Sequence, residues 1–404
     1  MNMITDRILN IASEIKTGKT PPTSNLKYFG DEINWYTPSD LDKEKFLRKS
    51  QRGITHKAIQ EKKATLYKPN TVLIGCIGDI GKLGITTKLS SSNQQITGLF
   101  PNPDKITAEY LFYWLKANKK LLVNSSKTSL VPILNNNQLG KIKITYPDSL
   151  HNQLHIANIL SKAEKLIAQR KASIALLDEF LKSTFLEMFG DPVRNEKGWE
   201  INSLAKFGSL KNGLNYTRNE TGVSVRCLGV GDFKDLSKLT NVESLTILNL
   251  TSEPSEDYYL KDGDIVFVRS NGNRELVGRC LLVFPNSEKV TYSGFCIRYR
   301  IEIEGINTIF LSHLFRVPIF RKAMLQGGRG ANIQNINQQT LSSLKIPTPP
   351  LKLQTQFAHI VEKTEVLKTQ YRQSLQELEN LYGSLSQRAF KGELEFSKEV
   401  ARAE

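Results

Sequence analysis

Several things are scarce or missing in this chain, and each absence narrows what it can be. Only four cysteines occur in 404 residues, Cys76, Cys227, Cys280 and Cys296, and none forms a CxxC pair. That excludes a disulfide framework and leaves reduced core thiols in a cytoplasmic protein as the simplest reading, with no metal site expected. No stretch approaches the ~20 apolar residues that span a bilayer. The opening MNMITDRILN has neither the basic start nor the apolar run of a secretory signal. Catalytic motifs are equally thin. Gly18, Lys19 and Thr20 fail as a phosphate-binding loop, because position 13 is Ser where the first glycine belongs. His151 and His155 share a helix face, but no Glu stands between them in the metalloprotease pattern, so capping or packing accounts for them. Asp6, Glu14 and Lys16 imitate a nuclease carboxylate–lysine pattern only loosely, without its preceding proline. No Asn/Asp-Pro-Pro-Tyr/Phe run and no glycine-rich cofactor loop of an adenine methyltransferase occurs. The chain reads as a binder without an active site.

What is present is a repeat. Ile156, Leu160, Ala163, Ile167, Arg170, Ile174, Leu177, Leu181, Thr184 and Met188 fall at alternating spacings of four and three. Adding 201 gives Phe357, Val361, Thr364, Lys368, Tyr371, Leu375, Leu378, Tyr382, Leu385 and Ala389, again mostly apolar. A sustained 3.5-residue period marks a helix packed along another helix, each a rod of roughly 50 Å. The repeat extends upstream. KIKITYPDSLHNQ precedes the first helix as SLKIPTPPLKLQ precedes the second, with Gln153 matching Gln354. LNNNQLGKIKI (134–144) parallels INQQTLSSLKI (336–346), YKPNTVLIG (67–75) parallels LKDGDIVFV (260–268), and WYTPSDL (35–41) resembles RCLGVGDF (226–233). Strand-like runs after turns alternate with helical ones, such as 109–118 and 309–324. Gly190 and Pro192 close the first long helix. The predicted organisation is a globular unit over 1–149, a long helix over 150–190, a second unit over 191–349, a second helix over 350–392, and a charged tail over 393–404. The fold class is α+β: two pseudo-repeated α/β domains and two long antiparallel, coiled-coil-like helices.

Charge separates the parts. Residues 1–150 hold 22 Lys+Arg against 12 Asp+Glu and residues 191–350 hold 20 against 16, whereas 151–190 and 351–404 are near balance at 5 against 4 and 8 against 8. The overall excess of +15 therefore sits on the globular parts. A basic balance of this kind points to a polyanion, most often nucleic acid.

With that organisation, the chain resembles the specificity subunits of Type I restriction-modification systems. The resemblance covers nearly the whole chain and rests on PDSLHNQLHIANIL and PPLKLQTQFAHIV opening the helices, and on FLKSTFLEMFGDP and LSQRAFKGEL near their ends. It implies two target-recognition domains, each reading half of a split target in double-stranded DNA, held by the helices. It implies partner modification (methyltransferase) subunits and restriction (nuclease-translocase) subunits, with S-adenosylmethionine, ATP and Mg on those partners and no cofactor in this chain. The rival readings are a stand-alone DNA-cleaving enzyme and a DNA-bridging scaffold without sequence preference.

Candidate DNA-binding residues come from polar and glycine-rich loops. Gly75, Gly78, Gly81 and Gly84 recur every third residue; such glycines serve tight turns or close approach to phosphate, and Gly78 and Gly81 are candidates for the latter. Arg pairs bidentately with guanine and Asn or Gln with adenine. Asn93, Gln94, Gln95, Lys127 and Ser129 are therefore candidates in the first unit. In the second they are Arg269, Asn271, Asn273 and Arg274, and then Arg329, Asn332, Gln334 and Asn335. A solvated loop is the competing reading for each of them. Helix packing is assigned to Ile156, Leu160, Ile174, Leu177, Leu181, Phe357, Val361, Leu375, Leu378 and Tyr382.

Overall fold

A computed structural model describes residues 1–126, 130–217, 220–233, 237–273, 275–326 and 335–394. The chain divides into two compact units, Met1–Lys171 with Gln373–Glu404, and Ala172–Arg372. Both are α+β. In the first, Met3–Arg7 pairs antiparallel with Lys143–Pro147. A five-stranded sheet runs in the order Ala12–Thr17, Ile96–Pro101, Val72–Gly75, Leu83–Thr86, Phe46–Leu47, and a three-stranded sheet in the order Arg52–Ile54, Phe29–Tyr36, Ser90–Ser92. The second unit repeats this strand for strand. Glu200–Ser203 pairs with Lys345–Thr348. Its sheets run Gly208–Asn212, Cys296–Ile301, Asp264–Val268, Cys280–Val283, Lys238–Leu239, and Thr246–Leu250, Val223–Leu228, Val290–Tyr292. The parallel pairings recur at the same places in both units.

Local chemistry explains why the matched strings match. The strands Val72–Gly75 and Asp264–Val268 are buried throughout, which suits the apolar runs Val72–Ile74 and Ile265–Val268 within them. Each follows a turn residue at positive φ, Asn70 at 63° and Gly263 at 87°, types that tolerate the left-handed region. The likeness of WYTPSDL to RCLGVGDF is one turn made twice, closed by an aspartate that reaches back three residues. The backbone N–H of Thr37 donates to the Asp40 carboxylate at 2.8 Å, and that of Gly229 to Asp232 at 2.8 Å. The segment 309–324, expected as one helix, is two, Thr308–Leu314 and Pro318–Gln326. Pro318 sets the break, because proline lacks an N–H and fits only a first helical turn.

The long helices run Leu150–Phe189 and Leu351–Lys391, 40 and 41 residues, or about 60 Å each. Gly190 ends the first at φ 76°, its N–H donating to Leu186 O at 2.8 Å. Within each unit the helix segments are antiparallel. Glu164 meets Tyr382 and Lys171 meets Glu379 in the first, and Asp178 meets Lys368 and Phe185 meets Phe357 in the second. None of the twenty seam positions is exposed. Ile156, Leu160, Leu181, Phe357 and Val361 are fully buried in domain cores, whereas Ile174, Leu177, Leu375, Leu378 and Tyr382 are half-buried. The cores hold the helix ends more tightly than their middles.

One buried amide starts each long helix. Gln153 is 0 % exposed; its Oε1 accepts the Thr107 N–H at 2.8 Å, and its Nε2 donates to Lys105 O and Pro147 O, both at 2.8 Å. Gln354, also 0 % exposed, makes the same three bonds to Asn307 N–H (2.8 Å), Gly305 O (3.2 Å) and Pro349 O (2.7 Å). In each unit this clamp joins the long helix to the N-cap of an earlier helix, Ala108–Ala117 or Thr308–Leu314, and to the proline turn, giving a partner to three backbone groups.

Candidate nucleic-acid interface

Each unit carries a cleft at the same place in its fold. It lies where the end of the central strand, the turn between the two following strands and the segment before a short helix converge. In the first unit the loop after Val72–Gly75 is tied across by a bridge from Ile77 to Ile133 and by the Leu134 N–H donating to Cys76 O at 2.9 Å. In the second, Ser270 bridges to Asn335 and the Ile336 N–H donates to Arg269 O at 3.0 Å. Asn135 and Asn337 then cap the short helices by accepting the N–H three residues on, from Gln138 and Thr340.

The turn between strands is also built twice. The N–H of Asn93 donates to Tyr36 O, and that of Ser293 to Leu228 O, both at 3.0 Å. Side chains close it: Gln95 N–H donates to Asn93 Oδ1 at 3.1 Å, and Phe295 N–H to Ser293 Oγ at 3.3 Å. The turn's last carbonyl accepts from the strand-end loop, Gln95 O from Cys76 and Phe295 O from Arg269, both at 2.8 Å. Gly18 and Gly213 press against these turns so closely that a Cβ would lie 2.2 Å from the carbonyl oxygens of Asn93 and Ser293. That backbone approach is the reason for glycine at Gly18, beside a lysine and a threonine that do not form a phosphate loop.

In the first unit the cleft, about 490 Å³, is lined by Thr17, Ile77, Gln94, Thr97, Asn135, Asn136 and Asn137 among others. A shallow groove beside it gathers Lys19, Thr20, Lys62 and Lys63 around the same Gln94, whose Oε1 accepts from the Thr20 hydroxyl. In the second unit the cleft, about 590 Å³, is lined by Tyr216, Ser270, Asn271, Ser293, Phe295 and Asn335 with glycine and valine backbone. Amides, hydroxyls and ammonium groups facing an open cleft are the set that meets base edges and phosphates. Cys76, in the first cleft wall, is buried, and burial pushes its thiol up to about 11, so it is protonated at neutral pH.

The expected residues are distributed unevenly over these surfaces. Gln94, Asn271 and Asn335 line the clefts. Asn93 is buried and holds the turn, its Nδ2 donating to Gln95 Oε1 at 2.9 Å. Gln95 is half-buried beside it. Gly78 is exposed, and Gly81 is a buried turn residue at φ 83° against the Lys119 side chain. Arg269 is half-buried and Asn273 exposed, the N–H of Asn273 donating to Asn271 Oδ1 at 2.7 Å. Lys127, Ser129, Arg274, Arg329, Asn332 and Gln334 lie outside the described residues. Sequence reasoning missed Lys19, Lys62, Lys63, Asn136, Tyr216, Ser270 and Phe295. A periodicity signal existed for none of them; they lie on loops, turns and a helix start that long-range packing assembles separately in each unit. Asp6 accepts from Asn10 at 2.6 Å and the Arg7 N–H at 2.7 Å, and Glu14 pairs with Lys16 at 2.6 Å. His151 and His155 stack at 6.5 Å. Among the described residues no group of three His, Cys, Asp or Glu is placed to hold a metal ion, and no helix is long and apolar enough to cross a membrane.

Comparison with known proteins finds the same twofold repeat. The family model described as the Type I restriction modification DNA specificity domain matches twice, at residues 10–176 and 197–380, once per repeat. The Type I restriction enzyme MjaIX specificity subunit of Methanocaldococcus jannaschii is 28% identical over 279 residues, 64% of this chain and 64% of that protein. The EcoKI specificity subunit of Escherichia coli K12 is 25% identical over 258 residues, 58% of this chain and 55% of that protein. The chain thus spans less than two thirds of the length of these relatives. A solved chain from a type I R-M system superposes with a TM-score of 0.64 at 14% identity, over 97% of this chain and 98% of the other. A Type-I restriction-modification system S subunit from M. genitalium gives 0.55 at 14% identity, over 96% of each. Both share the fold.

Proposed function

We propose, because this chain belongs to the Type I restriction modification DNA specificity family, that each unit reads one half of a bipartite DNA target and that the chain directs chemistry carried out by other subunits. The observation that carries this reading is the pair of clefts: one scaffold built twice, lined by different side chains. Two identical readers would recognise a repeated half-site; two differently furnished ones recognise a split, asymmetric target. The basic excess on the globular parts supplies sequence-independent attraction to phosphate. The cleft amides supply base discrimination, each good bidentate pair being worth about 1–3 kcal/mol against the wrong base.

The partners in this reading are modification subunits bearing S-adenosylmethionine and restriction subunits bearing ATP and Mg, acting in the cytoplasm, with this chain non-catalytic. Purified chain incubated with DNA, with and without magnesium, is expected neither to cut nor to methylate. Metal-dependent cleavage lost in Asp6→Ala would establish the enzyme reading instead. Binding undiminished by a large excess of unrelated DNA defeats a non-specific scaffold, while full competition supports one.

The long helices, each beginning in one unit and ending in the other, set the gap between half-sites in this reading. A four-residue insertion between Ser173 and Ile174 lengthens the first by about 6 Å and turns its end by roughly 40°. At about 3.4 Å per base pair, methylation mapping is expected to show a gap longer by one or two base pairs. An unchanged gap at full activity would remove the helices from this role.

A further inference from the structure

We propose that Phe295 recognises a thymine C5-methyl group in the half-site read by the second unit; this rests on the reading that the unit binds one half of the target. Phe295 is 62% exposed, yet it stands on a turn held at both ends. Its N–H donates to Ser293 Oγ, its carbonyl accepts from Arg269, and Ser293 and Cys296 are each bonded by backbone N–H groups to Leu228 O and Ser293 O. The ring's base is therefore fixed while its face is open. It lines the cleft with Ser270, Asn271 and Asn335, side chains that exchange hydrogen bonds with base edges. A phenyl ring can do neither. Of the features base pairs present in the major groove, only the thymine methyl is apolar, so this is the ligand that a fixed ring among amides and hydroxyls would select.

The first unit provides the contrast. The same turn, with the same backbone bonds, carries Gln95 where the second unit carries Phe295; Gln95 is half-buried with its Oε1 accepting from Asn93, and it is the neighbouring Gln94 that lines the cleft. One turn thus offers a hydrogen-bonding side chain at its middle residue in the first unit and a ring at its last residue in the second, and the two half-sites should differ accordingly.

The test uses the full chain with its modification subunits and a duplex carrying the target found by methylation mapping. Each thymine of the second half-site, on either strand, is replaced in turn by deoxyuridine, which lacks only the C5 methyl. Binding is titrated for the parent and for Phe295→Ala and Phe295→Gln. At one position the parent is expected to bind the deoxyuridine duplex roughly four-fold more weakly, the worth of one buried methyl-sized group, and neither variant should distinguish the two duplexes. A second half-site without thymine, no sensitive position, or sensitivity that persists in Phe295→Ala would each overturn the assignment. An unrelated duplex in the same titration separates the two levels: if the parent binds it as tightly as the target, the half-site reading itself falls.

Discussion

The two units share a scaffold and part company at the cleft, and where they differ is more informative than where they agree. The agreements are geometric necessities. Gln153 and Gln354 close the same three-bond clamp, Asp40 and Asp232 the same turn, and Gly18 and Gly213 allow the same close backbone approach. The first difference lies in the core. Asp264, 1% exposed, pairs with Arg300 at 2.7 Å on adjacent segments of the second unit, where the first unit has the buried Thr71 and half-buried Phe100. The second lies in the clefts, where Gln94 and the lysines of one unit give way to Phe295, Asn271 and Tyr216 of the other. A scaffold position is fixed by what its neighbours demand. A cleft position is free to follow whatever binds there.

That contrast can be broken most forcefully at the clamp. Gln153→Leu and Gln354→Leu each deprive an N–H and two carbonyls of their side-chain partner, one carbonyl buried and the other two groups part-buried. Unpaired groups of this kind cost about 1–3 kcal/mol apiece, so the three together cost roughly 3–9 kcal/mol, with the two part-buried groups holding the loss toward the lower end. Hydrogen exchange should locate the loss in the altered unit alone. If one variant were harmless, the clamps would not be equivalent.

The core pair comes next. Asp264→Ala strands a largely buried guanidinium and should cost about 3–5 kcal/mol, against about 1 for Thr71→Ser in the first unit. Equal losses in thermal unfolding would mean that the ion pair is no special feature of the second unit. The cleft residues stand at the bottom of the scale. Gln94→Ala and Phe295→Ala should change stability by no more than about 0.5 kcal/mol while altering binding, and a large loss of stability would return them to the scaffold.

The fold was legible because its repeat lies in residues whose types are dictated locally. Heptad spacing marks both long helices, and Gln153 and Gln354 show as a match across 201 positions because the clamp needs a primary amide that accepts one bond and donates two. The break at Pro318 was visible in the sequence but overridden by the apolar pattern around it. The clefts were far less legible. Asn93 has the composition of a reader and serves as a turn staple, whereas Phe295 has that of a strand residue and stands in the open. Lys19 was visible only as part of a failed phosphate loop, and the register that sets it beside Gln94, Lys62 and Lys63 spans more than seventy residues of chain.

Two differently furnished copies of one scaffold should read two halves of a target independently. Replacing residues 1–149 with the matching segment of a relative of different specificity, and mapping methylation in a host that supplies the modification subunits, tests it most directly. One half of the target should change while the other half and the gap stay as they were. A chimera that altered both halves, or neither, would contradict it.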